Sequence, residues 1–229
     1  MAIFTPGPAV GQISGRVGGS VFSHNKGGAY IRNGSIPTIV QTTKALAYKA
    51  ILTNMSRAFG NLTDAQRLAW VEYAANHPVV NALGRSHYLT ALNWYIRCNS
   101  RLTRSGDAVI DVPPVIPGPT GAVITAADVD TTAGTSDITF IPTPIGANNK
   151  VWLRGCRVQS GTITNVRNKL TELLISAANL ASPVDVNAEI VAELGTIQTG
   201  DWYHFELRVL DTTTGLMSGP SLFKTQAHA

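Results

Sequence analysis

Five histidines, His24, His77, His87, His204 and His228, and two cysteines, Cys98 and Cys156, are the residues best able to hold a metal or act as a nucleophile. A transition-metal site needs several such ligands at spacings that bring them to one ion. No histidine stands at such a spacing from Cys, Asp or Glu. The two cysteines fall in different stretches and match no metal or redox pattern, so free buried thiols are expected, as in a protein assembled in a reducing compartment. His77, just before Pro78, suits the negative end of a helix, and His204 the polar side of a strand. Glu189 and Glu193 lie four apart and read as a solvated helix or loop face. There is no Gly-x-Ser-x-Gly elbow. Arg16-Val17-Gly18-Gly19 lacks the Gly-Lys-Ser/Thr ending of a phosphate loop. No enzyme, catalytic residue, metal or cofactor is therefore expected. Trp152 and Trp202 are the two residues open to sugar stacking, with core packing as the other reading of each.

Charge divides the chain. Charged residues are 14 % of the 229, well below the usual quarter, and the net charge is +4. Residues 1–105 hold 11 Lys+Arg against 2 Asp+Glu, a net +9, and residues 106–229 hold 7 against 12, a net −5. Such asymmetry points to halves with different partners. The basic half suits an acidic protein surface. Its arginines are spread out and form no run, so nucleic acid is not expected as a partner. Residues Met1 to Gly11 lack the basic and apolar regions of a secretory signal, and no apolar run reaches the 18 or so residues of a membrane span.

Four stretches differ in pattern, and together they predict an α+β chain. Residues 1–34 are Gly-rich and without helical period, an extended arm carrying a short hairpin. Val21-Phe22 and Ala29-Tyr30-Ile31-Arg32 flank its turn, His24-Asn25-Lys26-Gly27-Gly28. Residues 35–106 read as a small domain of about three helices. Ala47, Ile51, Met55 and Phe59 recur every four residues, Leu52 widens that stripe, and Gly60 reads as a stop. Thr63-Asp64-Ala65-Gln66 is a capping box, followed by Leu68, Val71 and Ala75 as an expected inner face. A third helix is expected from near Ser86, with Leu89, Leu92, Ile96 and Leu102 inward, and the aromatics Trp70, Tyr73, Tyr88, Trp94 and Tyr95 are expected to fill the core. Residues 107–119 form a Pro-rich linker. Residues 120–229 read as a β-sandwich, clearest in Tyr203 to Val209, where apolar and polar residues alternate. Asn168 to Leu180 is expected as a short helix.

Two resemblances add to this. Tyr203-His204-Phe205-Glu206-Leu207-Arg208-Val209-Leu210-Asp211, Thr214-Gly215-Leu216 and Ser218-Gly219-Pro220-Ser221 resemble the late strand pair of an immunoglobulin- or fibronectin type III-like module. Gly15 to Gly19, Phe22 to Arg32 and Leu62 to Trp70, in that order before a β-module, resemble a family of uncharacterised tailed-bacteriophage and prophage virion structural proteins. That resemblance implies a place in the virion, assembled in the host cytoplasm, with no membrane. The expectation is a capsid decoration or cement protein whose arm binds the major capsid protein through Arg16, Phe22, Lys26, Gly27, Gly28, Tyr30 and Arg32. A homo-oligomer is expected, a trimer among its closed forms. A neck, tail or baseplate component is the first alternative, and a host-surface carbohydrate-binding module the second.

Overall fold

A computed structural model describes residues 2–8, 10–34, 42–81 and 83–229. Among the described residues the fold is α+β, with four helices and antiparallel sheets. It divides into two compact units, Met1–Ser100 with Asp111–Pro113, and Arg101–Ile110 with Pro114–Ala229. The stretch 107–119 is thus shared between them.

In the first unit, β1 (Ala2–Phe4), β2 (Gly15–Val17), β3 (Ser20–Asn25) and β4 (Gly28–Asn33) form one antiparallel sheet in the order β1-β4-β3-β2. Two tight turns close it. Val17 faces Ser20 across Gly18-Gly19, with Gly18 at φ 57°, where a side chain is disfavoured. Asn25 faces Gly28, and the Asn25 Oδ1 accepts the Gly27 N–H at 2.8 Å, an Asx turn. β1 stops before Pro6 and Pro8, which cannot donate to a ladder.

Helices α1 (Thr43–Asn61) and α2 (Asp64–Asn76) follow. Thr42 caps α1 by accepting the Ala45 N–H. Gly60 lies inside α1 rather than ending it; the C-cap is Leu62, whose N–H reaches the Phe59 carbonyl. The capping box at Thr63 is present, with Gln66 Oε1 taking the Thr63 N–H at 2.9 Å. A two-residue ladder, β5 (Val79–Val80) with β6 (Ser86–His87), precedes α3 (Ala91–Ser105). Ser86 therefore does not start the third helix: Thr90 caps it, its hydroxyl accepting the Asn93 N–H.

The helical core is aromatic. Trp70 meets Tyr73 and Tyr95 edge-on, Tyr95 meets Phe59, and Tyr73 meets Trp94. His77 stacks on Tyr73 at 3.9 Å while its Nδ1 donates to the Tyr73 carbonyl. The Trp70 Nε1–H ends on the Asp111 carbonyl at 2.8 Å, so the fully buried indole leaves no orphan donor. This cluster corrects the expected helix faces. Trp70, Tyr73 and Ala74 turn inward on α2, leaving Leu68 and Val71 more than half exposed. Rings of this size bury more apolar area than leucine and valine, so they decide the rotation of the helix. On α3, Trp94, Tyr95, Cys98 and Leu102 are the buried apolar positions, while Leu92 and Ile96 are half-buried. Tyr88 stands outside the core.

In the second unit, β7 (Val123–Asp130), β8 (Thr135–Ile141), β9 (Asn149–Val158), β10 (Thr171–Ala178), β11 (Val184–Asp185), α4 (Asn187–Leu194), β12 (Trp202–Asp211) and β13 (Ser221–Gln226) follow in chain order. One sheet runs β10-β9-β12-β13 and the other β11-β8-β7. Both contribute to one apolar core: Ile124 and Val129, Ile138 and Phe140, Val151 and Leu153, Leu173, and Tyr203 to Val209 at alternate positions. The segment expected as a short helix, Asn168 to Leu180, contains strand β10 instead. Register shifts between Glu172 and Leu174 and between Ile175 and Ala178 break its period of two, which is why its leucines mimic a helical spacing. The fourth helix is α4, which buries Ile190 and carries Glu189 and Glu193.

Candidate functional site

The residues expected to bind a partner sit on the first unit's sheet, and register assigns each a face. Arg16 faces Val21, Val21 faces Arg32, Tyr30 faces Ser23 and Ile3. Paired residues share a face, so Arg16, Arg32 and Tyr30 line one side with Val21 and Ile3. Phe22 lies on the other side with Ile31, Ala29 and Phe4, whose ring it meets edge-on at 6.1 Å. Lys26 and Gly27 form the hairpin tip. The structure therefore brings Arg16, Tyr30 and Arg32 together and separates Phe22 from them.

No described side chain from Ile3 to Gly34 is buried. Val21, Phe22, Tyr30 and Ile31 at the centre of the two faces are half-buried, and Val17 on the edge strand β2 is 70 % exposed. The Arg16 Nε donates to the Gly18 carbonyl at 3.0 Å, folding its guanidinium over the β2–β3 turn. The Asn81 Nδ2 donates to the Gly27 carbonyl at 3.0 Å, and the Asn81 Oδ1 accepts the N–H groups of Leu83 and Arg85. Asn81 escaped the sequence reading. The nearby Gly84, at φ 75°, was the available turn signal.

The two tryptophans resolve differently. Trp152 is 5 % exposed, with the Arg104 guanidinium 4.5 Å above its ring, which corrects its reading as a surface aromatic. Its neighbours Val151 and Leu153 face the core between the sheets, so Trp152 points to the opposite face, which Arg104 covers. Trp202 is half-buried, beneath the Lys224 ammonium and packed against Gly161. On the same sheet face Glu206, 2 % exposed, bonds Arg208 at 2.8 Å and lies 3.4 Å from Arg154. Arg154 also donates to the Leu170 carbonyl, and Arg104 pairs with Glu172. This network neutralises a carboxylate that would otherwise be costly to bury.

Several titratable groups are shifted by their surroundings. Burial pushes the Cys156 thiol up, keeping it protonated and unreactive, with Lys169 opposing weakly. Burial, then the neighbouring Lys224, pushes His204 below its ordinary 6.5. His228, at the chain end, is raised by its bond to Asp128. Among the described residues no group of three His, Cys, Asp or Glu side chains converges as metal ligands, and no helix is long and apolar enough to cross a membrane.

No protein-family model matches the chain, and no curated protein does. Among solved structures, a fibronectin type III-like protein from Clostridium thermocellum aligns over 49 % of this chain and 97 % of its own, at 16 % identity and a TM-score of 0.29.

Proposed function

We propose that this chain is a structural component of a tailed-bacteriophage particle, attached through its N-terminal sheet. The observation that carries the reading is the sheet itself: four strands in register, with no described side chain buried on either face. A small sheet without a buried face gains little from the hydrophobic effect and is stabilised by laying one face or edge on another protein. The first 63 residues hold six Lys and Arg and no Asp or Glu, so the surface that receives the sheet is acidic. The favoured place is the outside of the head, as a decoration or cement protein on the major capsid protein. A neck, tail or baseplate position uses the same chemistry at lower copy number.

The second unit is read as a fibronectin type III-like sandwich. Its three-strand sheet β11-β8-β7 and four-strand sheet β10-β9-β12-β13 have the strand order of such a module. Tyr203 is fully buried near the start of β12, the position that the tyrosine corner takes in such modules. In this reading it is a spacer or bridging module.

The test uses the full chain and purified particles lacking it. Arg16→Glu with Tyr30→Ser and Arg32→Glu, all on one sheet face, is expected to abolish rebinding, while Phe22→Tyr on the other face retains it. Undiminished binding by the triple variant overturns attachment through this face.

A further inference from the structure

We infer that the loop 159–170, between β9 and β10, is a latch that lifts from the outer face of the four-stranded sheet when His204 takes up a proton. Tyr203, Phe205 and Leu207 of β12 point into the core, so Trp202, His204 and Glu206 stand on the opposite face. The loop lies across that face: its Ile163, Val166 and Leu170 pack with Cys156, Val158 and Trp202. A polar contact holds it near each end. The Lys224 ammonium is 3.5 Å from the Gly161 carbonyl, and Arg154 donates to the Leu170 carbonyl at 3.0 Å. An open cavity of about 540 Å³, lined by Cys156, Val158, Ile163, Lys169 and Leu194, leaves room beside the loop.

His204 shares this face with its Nε2 buried and, among the described residues, without a hydrogen-bond partner. A neutral ring tolerates this at modest cost. Taking up a proton makes both ring nitrogens donors, so the ring becomes a cation with a buried, unmatched N–H. Its neighbours do not neutralise it. Cys156 is its register partner on β9 and Lys224 its partner on β13. Arg154 stands diagonally across on β9, and the exposed Arg167 and Lys169 bring further positive charge from the loop. Glu206, two residues along β12, is already held by Arg154 and Arg208. Burial and then Lys224 keep the His204 pKa below its ordinary 6.5. Lifting the loop lets the charged ring reach water and lets Lys224 turn away, so acid favours the open form. Opening bares Cys156, Val158 and Trp202, an apolar strip that is covered at neutral pH.

Linkage sets the direction. The closed loop has the full support of His204 above 6.5 and loses it as pH falls through the closed form's lower pKa. At about pH 5 the gain in opening has a ceiling of about thirtyfold, set by the distance from 6.5. This inference stands apart from the particle reading, since it concerns the purified chain alone. Labelling of the full chain by 4,4′-dithiodipyridine at about pH 7.5 and about pH 5 tests it. The rate is read at each cysteine by peptide mass and divided by that of a free cysteine peptide at the same pH. On that scale Cys156 is expected to react about threefold faster or more in acid. Cys98, fully buried in the helical core, is expected to be unchanged. His204→Gln is expected to remove the acid effect, and Lys224→Gln to shrink it. His204→Leu replaces His204→Gln if circular dichroism shows that variant misfolded. A Cys156 rate that does not rise, a rise shared equally by Cys98, or a rise retained in the His204 variant would each overturn it.

Discussion

Asn81 donates its side-chain amide to the carbonyl of Gly27 at 3.0 Å, tying the tip of the N-terminal hairpin to the turn between β5 and β6. The same side chain's oxygen holds the turn through Leu83 and Arg85. One residue thus fixes a loop and anchors a sheet that has no core of its own. Asn81→Ala removes three hydrogen bonds, and a loss of about 1–2 kcal/mol in denaturant unfolding is expected. Limited proteolysis should show earlier cleavage at Lys26, and an unchanged cleavage pattern would mean that the tip is held by other contacts.

Trp70 sits at the centre of the aromatic cluster and bonds Asp111. Trp70→Ala is expected to cost about 3–5 kcal/mol, as large aromatic truncations do. Trp70→Phe keeps most of the volume and loses the hydrogen bond, so about 1–2 kcal/mol is expected. Urea melts of the two variants separate packing from the bond.

Gly161 abuts the Trp202 indole so closely that a Cβ there would fall 2.6–2.9 Å from ring atoms. Gly161→Ala is expected to displace the indole from beneath Lys224 and shift tryptophan emission to the red. A spectrum identical to wild type would contradict that packing.

Glu206 is buried between Arg154 and Arg208. Replacing it with Gln leaves two cations facing a neutral amide, and a loss of about 2 kcal/mol is expected from the charge-assisted bonds removed. The two arginines keep part of their surface in water, which holds the cost below that of a fully enclosed pair.

His204 makes stability depend on pH. Its folded pKa lies below the ordinary 6.5, so in the window between the two the unfolded chain binds the extra proton. Its contribution is complete above 6.5 and is lost as pH falls from there through the folded pKa. His228 has the opposite sign: raised by Asp128, it stabilises below 6.5 and loses that as pH rises through its folded pKa. The expected result is that His204→Gln flattens the fall in urea midpoint between neutral and mildly acidic pH. An unaltered fall assigns the dependence elsewhere.

The sequence was most legible where one local rule acts alone. The capping box at Thr63 needs only three intervening bonds, and the strand at Tyr203 alternates without interruption. It was least legible where tertiary packing chose between faces. Leu68, Val71 and Ala75 have inward spacing, yet Trp70 and Tyr73, one or two positions away, take the core. In β10 the bulges shift Leu173 and Leu174 out of alternation, and only pairing with β9 restores the strand. For the site residues, spacing placed Arg16, Tyr30 and Arg32 in one segment, but only the register across β2, β3 and β4 sets them on one face and Phe22 on the other.

The proposed place in the virion is open to quantitative mass spectrometry of purified particles, scaled to the major capsid protein. The chain is expected in the particle, at hundreds of copies standing in simple ratio to the shell protein; about a dozen would move it to the neck or tail. Its absence from the particle would overturn the proposed virion role.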